Sequence, residues 1–141
     1  MNQKAKSHIV YKINASISTD EFIDILNRSS LGERRPVDNK ECIEAMVKNA
    51  DIVVVALDGD KMVGVARSIT DFSYCCYLSD LAVDEAYQHQ GIGKMLIEKT
   101  KKSLTDGCKI ILLSAPKATQ YYPKIGFKQH PSAWVLDGSI V

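Results

Sequence analysis

The segment Val83-Asp84-Glu85-Ala86-Tyr87-Gln88-His89-Gln90-Gly91-Ile92-Gly93-Lys94 holds the residues whose types and spacing suit anion chemistry. It leaves an apolar run, turns, and enters a helical pattern whose first turn contains two glycines. A helix N-terminus presents main-chain N–H groups without intrahelical acceptors, together with a partial positive charge, and both suit a phosphate. Gly91 and Gly93 lack side chains, so a bulky anion can approach the amides closely, and Lys94 adds a mobile positive charge. At this glycine frequency a Gly-x-Gly triplet arises by chance roughly 0.4 times, and requiring Gln or Arg three residues earlier lowers that to roughly 0.03. Other phosphate signatures fit poorly. There is no Gly-x-x-x-x-Gly-Lys-Ser/Thr, and Leu96 stands where a dinucleotide fingerprint needs its third small residue. Glycines that merely allow close helix packing remain an alternative reading at this point.

The elements that must position this loop follow from periodicity. His8 to Ile13 alternates as a first strand. Ser18-Thr19-Asp20-Glu21 is a capping box, and Phe22, Ile25 and Leu26 continue it as one apolar helical face. A second box, Asp38-Asn39-Lys40-Glu41, precedes Ile43, Met46 and Val47 at helical spacing, with Ser29 to Pro36 between the helices as an exposed loop. The β-branched run Asp51 to Leu57 turns at Asp58-Gly59-Asp60 into Lys61 to Ala66, a hairpin. Tyr74 to Val83 reads as the next strand, Gly91 to Thr105 as a helix capped by Gly107, and Lys109 to Ser114 as a buried strand. Pro116 to Lys124 reads as a short helix closed by Gly126, and Phe127-Lys128 with Ala133-Trp134-Val135-Leu136 as a final hairpin. This order predicts a mixed α/β architecture on one central sheet, with residues 1–141 as a single domain.

Composition narrows the function classes. The 141 residues are 45% apolar and 25% charged, the balance of a globular protein and not of a disordered one. Eighteen basic against seventeen acidic residues leave a net charge of +1, which lends no support to a nucleic-acid or anionic-membrane partner. No apolar run approaches the roughly 20 residues that span a bilayer. Met1 to Ser7 contains basic residues with no apolar stretch behind them, so no secretory signal is read and a cytoplasmic location is expected. Cys42, Cys75, Cys76 and Cys108 form no Cys-x-x-Cys pair and are expected to be free thiols. His8, His89 and His130 match no zinc spacing, so no metal is expected.

Gln88-x-x-Gly91-x-Gly93 after the apolar Leu81-Ala82-Val83 resembles the acetyl-CoA loop of the GNAT N-acetyltransferase superfamily. Ala118-Thr119-Gln120-Tyr121-Tyr122-Pro123-Lys124-Ile125-Gly126-Phe127 resembles that family's Ala-x-x-Phe-Tyr-x-x-x-Gly-Phe, with Tyr121 in place of the commoner Phe. The match is strongest over residues 51–128. It implies an α/β (α+β) fold: a mixed, mostly antiparallel central sheet whose fourth and fifth strands splay, with about four helices.

The resemblance also implies roles. The N–H groups of Gln88, His89, Gln90, Gly91, Ile92, Gly93 and Lys94 would hold the coenzyme A pyrophosphate, and the main chain of Leu81, Ala82 and Val83 would hold the pantetheine arm like an added strand. A bulge there would splay the strands, and a freed amide near Leu81 or Val83 would polarise the thioester carbonyl. The Tyr122 phenol would protonate the departing thiolate. A lysine-like amine of pKa near 10.4 is only ~0.1% neutral at pH 7.4, so a general base would help, and Asp80 is the leading candidate. Tyr77 and Ser79 would line a water path. The acceptor pocket would draw on Arg34 and Arg35, which could read an anionic group, and on Phe72, Tyr74, Tyr77 and Trp134. The implied reaction is acetyl transfer from acetyl-CoA to a small-molecule or peptide amine, with a homodimer possible. Two alternatives stay open, a non-catalytic acyl-CoA-binding module and an unrelated nucleotide-phosphate binder.

Overall fold

In the computed structural model, which describes residues 8–141, the strands β1 (Ile9–Ile13), β2 (Ile52–Asp58), β3 (Lys61–Thr70), β4 (Cys75–Val83) and β5 (Lys109–Ile111) lie side by side in chain order. Met1 to Ser7, where no secretory signal is read, lies outside the described residues. The pairs β1–β2, β2–β3 and β3–β4 are antiparallel, whereas β5 joins β4 in parallel. A parallel neighbour needs a crossover connection, which α3 (Ile92–Lys102) supplies. The other helices are α1 (Thr19–Arg28), α2 (Lys40–Lys48) and the single turn α4 (Tyr121–Lys124). The mostly antiparallel mixed sheet with four helices is the fold class expected from the sequence. Among the described residues, no helix is long and apolar enough to cross a membrane.

The helices cover the sheet from both sides, and this explains why β2 reads as an unbroken apolar run. Phe22, Ile25 and Leu26 of α1 and Ile43 of α2 pack on Val53, Val55, Met62, Val65 and Ala82. Ile92, Leu96 and Ile97 of α3 pack on Ile52, Val54, Ala56, Val63, Ala66 and Leu78. The capping box before α1 forms as read: Ser18 Oγ accepts from the Glu21 N–H at 3.0 Å, and Glu21 accepts from the Ser18 N–H at 2.8 Å. The second box was placed one residue early. Asn39, not Asp38, caps α2 by accepting from the Cys42 N–H at 3.1 Å.

Four further expectations need correction. The segment after α1 is not a free loop: Leu31–Arg34 forms a 3₁₀ turn, and Ser29 and Gly32 are buried. β5 is shorter and more exposed than expected: it runs only Lys109–Ile111, paired with β4 over Cys75–Tyr77, and both Lys109 and Ile111 face solvent. The expected helix from Pro116 breaks into a 3₁₀ turn, Pro116–Ala118, and α4, since Pro123 has no N–H to continue the ladder across Thr119. The final hairpin does not form. Phe127 is drawn into the α4 turn, donating its N–H to the Tyr122 carbonyl at 3.1 Å, so that arm of the hairpin is consumed and Trp134 is left 91% exposed.

Arg28 ties α1 to the end of β4. Its guanidinium donates to Asp84 Oδ2 at 2.5 Å and to the Met62 carbonyl at 2.7 Å. Burial alone would raise the Asp84 pKa, but the Ala86 N–H and Arg28 outweigh it and hold the carboxyl below its usual range. A depressed carboxylate contributes stability that is present above its unfolded pKa, about 3.9, and lost as pH falls through the lower folded value. Arg28→Met is therefore expected to lower the urea midpoint at neutral pH and to flatten its fall below about pH 4. An acid limb as steep as that of the unmutated chain would contradict this.

Candidate functional site

Two breaks in sheet regularity build the site. The β3–β4 register pairs Arg67 with Asp80 and Ser68 with Leu78, so Ser79 is an extra residue on β4. Such a bulge leaves its residue unpaired and bends the strand. It also turns Leu78 and Leu81, three apart, toward the same α3 face, where strict alternation would oppose them. Meanwhile β5 pairs with β4 only over Cys75–Tyr77. From the bulge onward, the edge of β4 that faces β5, including Leu81, Ala82 and Val83, has no strand partner among the described residues. The bulge thus lies two residues before the stretch where it was expected.

That open edge leads into the start of α3. Gly91 is the N-cap with φ 79°, a left-handed conformation that favours glycine, and no side chain caps the helix. His89 is also left-handed, at φ 66°. Left-handed residues interspersed among ordinary ones turn successive N–H groups to one side, as in anion-binding nests. Among the described residues no acceptor meets the N–H groups of Gln88, His89, Gln90, Gly91, Ile92, Gly93 or Lys94, and the first helical bond runs from Met95 to the Gly91 carbonyl. An uncapped positive helix end with two glycines suits a diphosphate.

Tyr121 sits over this helix start, and Tyr122 packs beside it. The Tyr121 hydroxyl lies 3.1 Å from the point where a Cβ on Gly93 would fall, so a larger residue there would press on that ring. The Tyr122 ring meets Tyr121 edge-on at 5.2 Å and Phe127 at 5.4 Å, and packs on the same cluster as Leu81 and Val83. Burial, and secondarily Tyr121, raises the Tyr122 pKa above that of an ordinary tyrosine. Tyr121, matched in the sequence only to the commoner Phe of the family pattern, thus takes a place over the helix start. The doubled tyrosine is the only sign of it in the sequence.

Asp80 is not placed as a general base. Its side chain is 0% exposed; Arg35 Nε donates to Oδ1, and Arg67 Nε donates to Oδ2 at 2.5 Å. With both oxygens engaged and no exposure, it has no path to an incoming ammonium. Arg35 is likewise unsuited to reading an acceptor anion, because it also donates to the Ser79 carbonyl at 2.7 Å and the Arg34 carbonyl at 2.8 Å. Arg34 is exposed. Phe72 and Tyr74 precede the paired stretch of β4, beyond the closed end of the fork. There the Phe72 carbonyl accepts from the Thr105 N–H, and Lys109 stands over the Tyr74 ring at 5.3 Å. They and Trp134 are therefore not gathered with Tyr122. Tyr77 stands at the fork, in the last β4–β5 pair, and is 40% exposed. Arg67 escaped the sequence reading altogether. Its signal was a charge directly after the apolar run of residues 61–66, matched by Asp80 in the next strand.

These features define a family. The chain belongs to the GNAT acetyltransferases: the model for the acetyltransferase (GNAT) domain matches residues 49–129. Among curated proteins it is similar to the histone acetyltransferase TAP1 of Glycine max, 34% identical over 73 residues, which cover 50% of this chain and 32% of that one. It is 38% identical over 63 residues to the glucosamine 6-phosphate N-acetyltransferase of Trypanosoma brucei brucei, covering 43% of each chain. The matched stretch thus spans less than half of either relative's length. Among solved structures, a GNAT family acetyltransferase of Streptococcus pneumoniae TIGR4 superposes with a TM-score of 0.74 at 22% identity, covering 92% of this chain and 99% of that one. An aminoglycoside N-acetyltransferase in complex with CoA superposes at 0.73 and 14% identity, covering 99% and 100%. At these identities the structures share the fold alone.

Proposed function

We propose that this chain is an acetyl-CoA-dependent N-acetyltransferase that moves an acetyl group to a primary amine of a small molecule or peptide by direct attack on the thioester. The observation that carries this reading is the run of unengaged amides from Gln88 to Lys94 at the end of the unpaired edge of β4. The amides hold the diphosphate of acetyl-CoA, and the main chain of Leu81, Ala82 and Val83 holds its pantetheine arm. A β4 amide beyond the bulge donates to the thioester oxygen as negative charge develops there. The amine nitrogen forms the new bond to the carbonyl carbon while the carbon–sulfur bond breaks. Tyr122 gives its phenolic proton to the leaving sulfur and regains one from water. The amine's own proton leaves to water at the Tyr77 fork, since Asp80 is bound by its arginines. The CoA complex of the aminoglycoside acetyltransferase supports the cofactor by analogy of fold.

A thermal-shift series tests the reading. Acetyl-CoA at 100 times its Kd is expected to stabilise the chain by about 2.7 kcal/mol, with no effect from ATP or NAD. Thiol release in the presence of an amine panel then reports turnover. No acetyl-CoA shift and no release would overturn the proposal. Gly93→Ala brings a methyl group to 3.1 Å from the Tyr121 hydroxyl, tight enough to shift that ring. It is expected to weaken acetyl-CoA about tenfold by titration, with a net stability change within about 1 kcal/mol, because the gain from replacing a helical glycine opposes the crowding at Tyr121. Assembly as a homodimer is part of the same reading, and the molar mass from light scattering decides it.

A further inference from the structure

Four hydrogen bonds from two arginines converge on two adjacent residues of β4. Arg35 donates to Asp80 Oδ1 and to the Ser79 carbonyl, while Arg67 donates to Asp80 Oδ2 and, at 2.9 Å, to Ser79 Oγ. Ser79 is the bulge residue, and a bulge strips its main chain of ladder partners. The Ser79 carbonyl lost by the ladder is the one that Arg35 takes up. Each arginine also reaches elsewhere: Arg67 to the Met46 carbonyl of α2 at 3.2 Å, and Arg35 to the Arg34 carbonyl in the turn between α1 and α2. The side chains are 21% exposed for Arg35, 7% for Arg67 and 0% for Asp80, so the cluster is held largely away from solvent.

We propose that Arg35 and Arg67 are positioning residues for acyl transfer: through Asp80 and Ser79 they lock the β4 bulge and couple it to the α1–α2 segment. The proposal rests on the acetyltransferase reading above. The bulge decides where the amides of residues 81–83 point along the open edge. A hydrogen-bond donor displaced by about 1 Å from a developing charge costs on the order of a hundredfold in rate. A guanidinium that forks between Asp80 and Ser79 fixes direction as well as distance, which a point charge does not. The same two arginines tie the α1–α2 segment and α2 to β4.

Arg35→Met is the discriminating variant. It leaves a balanced Arg67–Asp80 pair, so the fold is expected to survive and unfold cooperatively, with a thermal midpoint lowered because Asp80 Oδ1 and the Ser79 carbonyl lose a partner. The expected result is a kcat lowered at least tenfold with the KM for acetyl-CoA within twofold, and partial recovery in Arg35→Lys. Amide exchange by mass spectrometry is expected to quicken over residues 78–83 and to stay unchanged in α3. A kcat within twofold of the unmutated chain overturns the proposal. So does exchange that rises equally along the whole chain. A raised KM for the acceptor at unchanged kcat also overturns it and returns Arg35 to reading the acceptor. If the unmutated chain shows no turnover at all, it is the acetyltransferase reading that fails, and the exchange comparison still decides whether the arginines hold the bulge.

Discussion

Asp80→Ala is expected to cost about 3–5 kcal/mol, because it removes the one carboxylate between two partly or fully buried guanidiniums and leaves both uncompensated. Against a typical total stability of 5–15 kcal/mol, that is a large share. Asp80→Asn keeps the shape and is expected to be nearly as damaging, since its amide nitrogen turns a donor toward an arginine donor. Adding Arg67→Met to Asp80→Ala should recover part of the loss, because it removes the more deeply buried of the two orphaned charges. The double variant would then be more stable than the sum of the two single ones implies. Urea midpoints for the four chains measure this directly. A cost below about 1 kcal/mol for Asp80→Ala would mean that the carboxylate is solvated and that no clamp exists.

Tyr122→Phe has the largest expected effect on rate. It deletes one oxygen and keeps the ring that packs against Tyr121 and Phe127, so the urea midpoint should barely move. Removing a general acid lowers turnover by roughly 10²–10⁴-fold, and acetyl-CoA binding, which uses main-chain donors elsewhere, should stay within twofold. The pH dependence follows from the direction of the Tyr122 shift. Burial raises its pKa above the ordinary value near 10, so the phenol remains protonated through the usual assay range. The rate should therefore climb with pH as the amine loses its proton, with no descending limb from Tyr122 below about pH 10. Equal turnover in Tyr122→Phe would remove the phenol from the acid role.

Local rules made much of this chain legible before any fold was known. The Ser18 box, the β2–β3 turn at Gly59 and the helix entry at Gly91 depend on neighbours within a few residues, and hydrophobic periodicity carries the rest of those elements. The two-glycine turn into α3 was legible for the same reason, since a left-handed helix cap needs glycine at a fixed place more than it needs distant partners. The fate of Asp80 was not legible. A carboxylate beside Ser79 looks the same whether it meets water or two guanidiniums, and its partners lie 45 and 13 residues away in sequence.

What the amino-acid order determined by itself was therefore most of the strands and helices, the family and the two-glycine turn into α3, all of which arise from short-range sterics and periodic burial. Tertiary structure alone decided the bulge at Ser79, the loss of Asp80 and Arg35 to an ion cluster, the placing of Tyr121 over Gly93 and the failure of the last hairpin. The first three turn on which distant group reaches a polar atom or an open edge first, and the last on which of two pairings Phe127 joins. That competition is settled by how the sheet and helices pack, and no spacing along the chain records it.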